Sequence, residues 1–543
     1  MLDFWVMRRL PLRAWAAVII SAALQIYMFP MAGPVGPWRS SLCWVALVPL
    51  LMALAQKDRD GSVLRPWRNA LLGYVCGALF YFGNCFWIYQ TMYLYGGLPK
   101  PVSFVILILF SLYLGLYHGL FALLFAMVRR SRFGLTGAVV AAPFCWVAVE
   151  LARARVTGFP WDLLGNAQVD NLLVTRIAPV AGVMGISFGV AAVNASVAWF
   201  VVGGKRRFLV PAVGLILALG LQLGGQYRRD GKETPTQVAV MVQENLEVGA
   251  VGKQVRPLTQ AEELQEFTAL SLRPQVKGAD GAWSTRGLGP DVTLIVWPEA
   301  PSHFQTNDPS FVSAVGNLAK TAGVPVISGS LGVDTDRRAG RGYFLYDSAS
   351  FFDEMGTYTG RYDKIHLVPW GEYVPFKRFF SFAEKLTEGV GDMDAGHDRG
   401  SFHAGGHTYG VFICYESIFG DEVREFVKNG AEVLVNISDD GWYGDTGAPW
   451  QHLNMARMRA IENHRWVVRS TNTGITTAID PWGRVGVEAP RHVRGSYAIG
   501  FGFESGMTTY ARFGDWWAWL CVVVTLGLVG FGWRERLFAS AKV

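Results

Sequence analysis

The sequence predicts a multi-pass α-helical membrane domain with an α/β domain inserted before its last membrane span. Three observations predict this class. Apolar runs long enough to cross a bilayer fill the first 224 residues and return only near the C terminus. Between them, short β-rich runs alternate with helical stretches. Residues of the AVILMFWYC set make up 51% of the 543 residues and charged residues only 17%, against roughly a quarter in average globular chains.

Composition and charge exclude several other classes of protein. The apolar content rules out intrinsic disorder, and 6 cysteines in 543 residues are too few for a disulfide scaffold. The net charge of +6 divides into −7 for residues 225–514, with 28 Lys+Arg and 35 Asp+Glu, and +13 for the remainder. The basic excess therefore lies at the ends of apolar runs, whereas a nucleic-acid-binding protein would gather it on a folded face. We expect no nucleic acid partner.

Eight apolar runs are predicted to span the bilayer. They lie at about residues 14–30, 38–55, 70–90, 102–128, 136–152, 177–203, 208–224 and 516–532. This prediction divides the chain into a membrane domain of seven spans at residues 1–224, an inserted domain at 225–514, and an eighth span with a cytoplasmic tail at 515–543.

Lysine and arginine near the ends of the spans predict the orientation. Of these residues, 16 lie on one side of the membrane, among them Arg8, Arg9 and Arg13, and 5 on the other. The side with more basic residues is expected in the cytoplasm. Both termini are then cytoplasmic, and the inserted domain, which follows an odd number of spans, lies outside the cytoplasmic membrane.

The inserted domain is predicted to be α/β. Strands are expected at Gln237–Val242, Val292–Trp297, Val324–Ser328, Tyr409–Cys414 and Val433–Ile437, and helices at Gln260–Leu270, Pro309–Ala322 and Gly420–Lys428. The strands are nearly continuous apolar runs, which is typical of a sheet covered on both faces. Stretches rich in Gly and Asp at 331–341 and 391–406 predict loops.

The placement of the cysteines indicates one candidate nucleophile. Five of the six fall within predicted spans, and Cys414 is the only thiol of the inserted domain. It ends an apolar strand and precedes a turn and a helix, so it lies at the carboxyl edge of the sheet, where the sites of α/β proteins assemble. The start of that helix is expected to favour the thiolate. The alternative is a small buried hydrophobic residue, which is the usual role of a single cysteine.

A nucleophilic thiol needs a base and a group that stabilises an oxyanion. Glu299 follows another apolar strand, and Lys364 stands in the stretch RYDKIHLVPWGEYVP at 361–375. Taken singly, Glu299 could cap a helix and Lys364 could be a solvated lysine. The order Glu, Lys, Cys, each near the end of an element, favours a catalytic set.

No metal and no cofactor are expected. His366, His452 and His464 show no metal-ligand spacing. We expect them to be hydrogen-bonded histidines of the core or the surface.

Longer motifs around these residues resemble known families. W-P-E-A at 297–300, K-I-H-L-V-P-W-G-E-Y-V-P at 364–375 and I-C-Y-E-S at 413–417 resemble the Glu-Lys-Cys signature of the nitrilase, or carbon-nitrogen hydrolase, superfamily. The stretches D-G-W-Y-G-D-T-G-A-P-W-Q-H-L-N-M-A-R-M-R-A at 440–460 and R-S-T-N-T-G-I-T at 469–476 resemble the apolipoprotein N-acyltransferases, membrane-bound bacterial members of that superfamily.

The resemblance implies a nitrilase-like αββα sandwich for the inserted domain. It makes Glu299 the general base, Lys364 the oxyanion stabiliser and Cys414 the nucleophile. Further matches to supporting or substrate-binding positions of the family are Glu372, Tyr415 and Glu416.

The implied reaction transfers a fatty acyl chain from a membrane phospholipid, expected to be phosphatidylethanolamine, to an apolipoprotein. The acceptor is the free α-amine of an N-terminal diacylglyceryl-cysteine, and the intermediate is a thioester. The implied location is the bacterial inner membrane, with the catalytic domain in the periplasm.

The chain departs from the family pattern at two places. Residues 243–253 (QENLEVGAVGK) stand where the family has a Gln-Gly-Asn-Ile-Pro-Gln-like stretch followed by Trp, and Asp439 stands where the family has Asn. The first departure leaves the substrate contacts of that segment open.

Two other functions compete with this interpretation. A membrane-tethered amidase could use the same triad with water as the acceptor, although apolar residues between Trp370 and Phe382 disfavour entry of water. A transporter or receptor would carry charged or broken spans near the middle of the membrane. The central turns of the predicted spans lack charged residues.

Overall fold

The computed structural model describes residues 10–58, 61–203, 209–227, 233–249, 258–299, 304–336, 342–373 and 393–540. Within these ranges, a helical N-terminal part is followed by two β-sheets with helices on their outer faces, and then by a last long helix. This confirms the predicted fold class.

Each predicted span coincides in position with helical structure. The helices are Leu12–Tyr27, Pro37–Ser40 with Val48–Leu54, Pro66–Asn84, Lys100–Arg129, Gly134–Val156, Ala178–Gly203, Leu209–Tyr227 and Trp516–Ser540. In the described part of the chain, 4 segments are long and apolar enough to cross a membrane: Pro37–Leu54, Lys100–Arg129, Gly134–Val156 and Thr175–Val202. The helices Pro66–Asn84 and Trp87–Tyr95 are bent by 50° relative to each other and would give a fifth span if they cross the membrane together. The apolar helices Leu12–Tyr27 and Trp516–Gly532 are shorter than these segments. The number of eight spans stays a prediction.

The inserted domain contains two sheets. Its strands, numbered in chain order, are β1 (Gln237–Gln243), β2 (Gln275–Lys277), β3 (Trp283–Thr285), β4 (Val292–Val296), β5 (Val326–Thr335), β6 (Tyr343–Phe352), β7 (Tyr358–Asp363), β8 (Phe402–Ala404), β9 (His407–Ile413), β10 (Val433–Ser438), β11 (Val467–Thr471), β12 (Thr477–Ile479), β13 (Val485–Glu488) and β14 (Gly495–Phe501). The described residues form one sheet in the order β3-β2-β14-β1-β4-β5-β6-β7 and a second in the order β13-β12-β11-β10-β9-β8. β1, β4 and β5 are parallel neighbours, as are β9, β10 and β11.

The two sheets face each other across one apolar core. In β1, Ala239 and Met241 belong to the core between the sheets, whereas Val240 and Val242 pack under the outer helices Gln260–Leu272 and Pro309–Ala322. The other sheet carries the helices Gly420–Lys428 and Ala448–Asn463. Because both faces of β1 are buried, its sequence is a continuous apolar run and lacks the alternation of a half-exposed strand. The arrangement is an αββα sandwich.

Two predicted loops are partly strands. β5 continues through Thr335, and β8 covers Phe402–Ala404. Within β5, a Cβ on Gly332 would lie 2.5 Å from Oγ of Ser348 on β6. The glycine at this position therefore permits close strand packing and does not mark a turn.

Part of the inserted domain packs into the core of the membrane domain. Phe419, Tyr443, Met455 and Met458 of the inserted domain belong to the same buried apolar cluster as the membrane helices. Helix Ala178–Gly203 breaks at Gly182, with φ of 67°. The N–H of Val183, which follows the break, donates to Oε1 of Glu462 in the catalytic domain at 2.8 Å.

Candidate active site

The three predicted catalytic residues follow strands of both sheets. Cys414 comes directly after β9 and begins a short 3₁₀ turn, Cys414–Ile418. Lys364 comes directly after β7, and Glu299 stands three residues beyond the end of β4. A hydrogen bond also joins the two sheets: Oγ of Ser470, on β11, donates to the carbonyl of Val242, on β1, at 2.9 Å.

Lys364 lies at the centre of a buried cluster of carboxylates. Its Nζ donates to Oε1 of Glu299 at 2.8 Å, Oδ2 of Asp347 at 2.9 Å and Oε1 of Glu372 at 2.5 Å. The Lys364 side chain is fully buried. Burial works to lower the pKa of Lys364, but the three carboxylates hold it well above its ordinary value. The ammonium therefore remains charged at neutral pH.

The same three carboxylates have the spacing of a metal site. One oxygen from each of Glu299, Asp347 and Glu372 lies within 4.8 Å of the others. Nζ of Lys364 is bonded to all three carboxyl groups, so the lysine supplies positive charge that compensates their negative charge.

Asp347 was not predicted from the sequence. It is buried within β6, and three carboxylates around one ammonium leave an excess of negative charge. Burial, together with the nearby charges of Glu299 and Glu372, raises the pKa of Asp347 well above its ordinary value. The raised pKa favours the protonated form of Asp347, which is hydrogen-bonded to Glu299.

Glu299 is held as a carboxylate. Burial works to raise its pKa, but the charge of Lys364 and hydrogen bonds from Asp347, Lys364 and the backbone N–H of Asp439 hold the pKa of Glu299 below its ordinary value. The bond from Asp439 N–H to Oε2 of Glu299 measures 2.5 Å. An ionised carboxylate fixed on both oxygens can accept a proton from a neighbouring group.

The thiol of Cys414 is neutral at rest. Burial is the main cause that raises its pKa well above the ordinary value, and the negative charge of Glu299 adds to it, while Lys364 works in the opposite direction. The expectation that a helix start favours the thiolate was wrong, because Cys414 begins a 3₁₀ turn and helix Gly420–Lys428 starts six residues later. The thiol must therefore lose its proton to a base during reaction.

Glu416 joins the two halves of the site. Its Oε1 accepts from Oη of Tyr362 at 2.7 Å and from the N–H of Ile365 at 2.7 Å, and its Oε2 accepts from the N–H of Ile413 at 2.7 Å. Ile365 follows Lys364, and Ile413 precedes Cys414. The side chain of Glu416 thus fixes the lysine relative to the thiol.

Glu372 and Tyr415 make different contacts. Oε2 of Glu372 accepts from the N–H of Val368 at 2.9 Å, so the carboxylate orders the loop after Lys364 as well as the ammonium. Oη of Tyr415 donates to the carbonyl of Gly158 in the membrane domain at 2.8 Å. Tyr415 therefore anchors the 3₁₀ turn Cys414–Ile418, called here the nucleophile turn, to the membrane domain.

A second network of polar side chains contacts the backbone of Cys414. Nε2 of His452 is 2.9 Å from the carbonyl oxygen of Cys414, and its Nδ1 is 2.8 Å from Oδ1 of Asp440. Nη2 of Arg469 donates to Oδ2 of Asp440 at 2.7 Å. The sequence placed His452 correctly among the hydrogen-bonded core histidines, but did not indicate its contact with Cys414.

The site lies at the junction of the two domains. Nε1 of Trp161, from the membrane domain, donates to Oε1 of Gln451 at 2.7 Å, and Oγ1 of Thr91 donates to the carbonyl of Trp442 at 2.9 Å. Residues 250–257 and 374–392, which include the end of the 243–253 departure and Phe382, lie outside the described residues.

Two family models match the chain. The model of the apolipoprotein N-acyltransferase N-terminal domain matches residues 21–196, and that of the carbon-nitrogen hydrolases matches residues 282–498. The second match contains all six predicted site residues.

Curated proteins match over nearly the whole length. The chain is 33% identical to the apolipoprotein N-acyltransferase of Geobacter metallireducens, covering 97% of this chain and 96% of that protein. It is 32% identical to the apolipoprotein N-acyltransferase of Bordetella bronchiseptica, covering 92% and 94% respectively. Among solved structures, Saccharomyces cerevisiae Nit3, a member of branch 10 of the nitrilase superfamily, is similar with a TM-score of 0.35 and 17% identity, covering 50% of this chain and 91% of that one.

Proposed function

The chain belongs to the apolipoprotein N-acyltransferase family, and from this premise we propose the reaction and the roles of its residues. The enzyme transfers a fatty acyl chain from a membrane phospholipid to the free α-amine of the N-terminal diacylglyceryl-cysteine of an apolipoprotein. The donor is proposed to be phosphatidylethanolamine. The products are a lysophospholipid and a triacylated lipoprotein.

The observation that carries the proposal is the ion pair of Glu299 and Lys364 beside a neutral buried thiol. In the first half-reaction, the carboxylate of Glu299 takes the proton of Cys414, and the sulfur attacks the ester carbonyl of the phospholipid. Lys364 and the backbone N–H of Tyr415 stabilise the oxyanion of the tetrahedral intermediate. The C–O bond then breaks, the lysophospholipid oxygen receives the proton from Glu299, and a thioester remains on Cys414.

The second half-reaction returns the enzyme to its starting state. The α-amine attacks the thioester carbonyl, Glu299 accepts a proton from the attacking nitrogen, and the C–S bond breaks. The sulfur of Cys414 is reprotonated and the new amide leaves. An amine is a much better acceptor than water if the site excludes water.

The position of the site supports lipid substrates. Both substrates carry acyl chains anchored in a bilayer, and the nucleophile turn is bonded to the membrane domain through Tyr415 and Gly158. The thiol of Cys414 and the end of the membrane domain are thus held together. A thiol at this junction can meet an ester bond near the membrane surface.

Thioester trapping tests the proposed function. The purified enzyme in phosphatidylethanolamine vesicles with a labelled acyl chain should acquire label that neutral hydroxylamine removes and that peptide mapping places on Cys414. Adding a diacylglyceryl-cysteinyl peptide should move the label to its α-amine. Cys414→Ala should remain unlabelled. Labelled free fatty acid released at the same rate without the peptide would indicate a hydrolase instead.

The orientation of the chain is part of the proposal. Both termini lie in the cytoplasm and residues 225–514 in the periplasm, as the bias of 16 basic residues against 5 indicates. A reporter fused near residue 300 should be active only outside the cytoplasm. Activity confined to the cytoplasm would contradict this orientation.

A further inference from the structure

The backbone of Cys414 has an unfavourable conformation. Its φ is 46°, in the left-handed region that residues with a Cβ rarely adopt. Such a conformation is unfavourable for a residue with a Cβ and persists only where neighbouring groups hold it. Groups that contact the backbone of Cys414, including its carbonyl group, must therefore hold it in this conformation.

His452 makes a direct contact with that carbonyl. It lies on helix Ala448–Asn463 and is fully buried, with Nε2 2.9 Å from the carbonyl oxygen of Cys414. Because a carbonyl oxygen only accepts hydrogen bonds, Nε2 carries the hydrogen. On its other side, Nδ1 lies 2.8 Å from Oδ1 of Asp440, so a ring that donates to both oxygens carries a hydrogen on each nitrogen.

The orientation of the ring is fixed from several directions. Asp440 is itself bound by Arg469, at 2.7 Å, and by Oγ of Ser438, at 2.8 Å. Trp161 of the membrane domain stacks on the imidazole with 5.9 Å between ring centroids and 12° between planes. The histidine can therefore present Nε2 in one direction only.

The peptide bond between Cys414 and Tyr415 connects this contact to the chemistry. Its C=O and N–H lie in one plane and point in opposite directions. The N–H of Tyr415 belongs to the start of a 3₁₀ turn, where the first N–H groups have no partner within the turn. A bond that fixes the Cys414 carbonyl also fixes the direction of the Tyr415 N–H.

We propose that His452, oriented by Asp440, is a positioning residue that aims the Tyr415 N–H at the oxyanion and holds the strained backbone of Cys414. This inference rests on the proposed function, in which that N–H is an oxyanion donor. His452 touches neither substrate nor the reacting sulfur and acts through the peptide unit. The stacking of Trp161 lets the membrane domain contribute to the geometry of the oxyanion site.

The test compares two reactions of the same thiol. Alkylation of Cys414 by iodoacetamide forms no oxyanion, whereas thioester formation from labelled phosphatidylethanolamine does. His452→Phe, which keeps a ring and removes both nitrogens, should slow thioester formation by roughly 10²-fold, as for the loss of an oxyanion donor. Its alkylation rate should stay within about threefold of the wild type, because oxyanion stabilisation plays no part in that reaction. His403→Gln, at an exposed histidine, is the control and should change neither rate.

Rescue by an amide separates the hydrogen bond from general packing. The amide nitrogen of His452→Gln can reach the position of Nε2 and should restore thioester formation to within roughly tenfold of the wild type, whereas His452→Asn reaches only the position of Nδ1 and should not. If His452→Phe does not fold, this pair decides the question. Equal thioester rates for the Gln and Asn variants, or a parallel loss of alkylation and thioester formation, would overturn the inference. Failure of the wild type to form any thioester would instead refute the proposed function.

Discussion

Nζ of Lys364 donates a hydrogen bond of 2.9 Å to Oδ2 of Asp347, a residue of strand β6 that faces the lysine from within the sheet. The backbone N–H of Lys364 also donates to the carbonyl of Asp347 at 2.8 Å. One residue therefore fixes both ends of the lysine. Since Asp347 also bonds to Glu299, it determines the geometry between the proposed base and the proposed oxyanion stabiliser.

The raised pKa of Asp347 leads to the first prediction. Asp347→Asn should keep acyl transfer within about threefold of the wild type, because a neutral amide replaces a protonated carboxyl and can still accept from Lys364. Asp347→Leu keeps the number and branching of the side-chain heavy atoms but leaves the ammonium with one buried partner fewer, and should slow transfer by more than roughly tenfold. Steady-state rates with a diacylglyceryl-cysteinyl peptide measure both. An Asn variant as slow as the Leu variant would show that Asp347 is ionised.

The charges around Cys414 lead to a prediction for Glu299→Gln. Removing the carboxylate charge should lower the pKa of the Cys414 thiol, because Glu299 is one of the groups that raise it. Acyl transfer should nevertheless fall by about 10²–10⁴-fold, the usual contribution of a general base. The pH profile of iodoacetamide labelling gives the thiol pKa. A variant with less thiol labelling and unchanged transfer would contradict both assignments.

Glu372→Gln is the matched control for that experiment. It also removes one carboxylate from Lys364, yet Glu372 is not among the main groups that shift the pKa of Cys414. Its labelling profile should therefore stay close to that of the wild type. A shift of the thiol pKa as large as that in Glu299→Gln would show that this pKa depends on the charge of the whole carboxylate cluster and not on Glu299 in particular.

The contacts of Glu416 lead to a prediction about stability. In Glu416→Gln, one amide N–H₂ must face a backbone N–H donor, so a buried hydrogen bond to a charged acceptor is lost at a cost of roughly 1.5–3 kcal/mol. The Tm in detergent should fall and acyl transfer should decrease, because Lys364 and Cys414 are no longer held together. Glu425→Gln is the control: its carboxylate pairs with Lys428 and Arg424 at a partly exposed position of helix Gly420–Lys428, where such a pair contributes about 0–1 kcal/mol. Equal Tm values for the two variants would contradict the role given to Glu416.

The α/β class of the inserted domain and the positions of two candidate site residues could be predicted for a common physical reason, whereas the αββα sandwich was implied by the family resemblance. Strands buried on both faces are continuous apolar runs, and Glu299 and Cys414 stand where two such runs end. β6 and β7 were not predicted because Asp347, Ser348 and Gly360 interrupt their apolar pattern. Of these residues, Asp347 also contacts Lys364, so a residue of the site made its own strand harder to recognise.

The contact between His452 and Cys414 could not be predicted for a different reason. Helix Gly420–Lys428, strand β10 and two 3₁₀ turns separate strand β9 from helix Ala448–Asn463 in the chain, so only packing brings the imidazole to the carbonyl. The contacts of Tyr415 and Trp161 across the two domains are also long-range. Sequence motifs show which residue types are present, but they do not give the distances between side chains that lie far apart in the chain.

Asp439, where the family has Asn, leads to the last prediction. Burial and the charge of Glu299 raise the pKa of Asp439 to about 7, although hydrogen bonds from Asn472 and the N–H of Gly441 work to lower it. A carboxyl whose pKa is raised in the folded protein stabilises the fold fully below its unfolded pKa of about 3.9, and this contribution is lost as pH rises through about 7. Ionised Asp439 also places a second negative charge beside Glu299. The wild-type Tm should therefore fall between about pH 4 and pH 7.

Asp439→Asn should remove most of this dependence. The amide oxygen of Asn can still accept from Gly441 and Asn472, so the loop keeps its bonds, and no charge develops as the pH rises. The free energy of unfolding should be higher than that of the wild type at pH 8 by on the order of 1–4 kcal/mol, since each pKa unit corresponds to about 1.4 kcal/mol. Glu462, whose pKa burial also raises to about 7, titrates in the same range and remains in both proteins, so the difference between their Tm–pH curves isolates Asp439. Parallel curves for the two proteins would show that Asp439 is already ionised below pH 5.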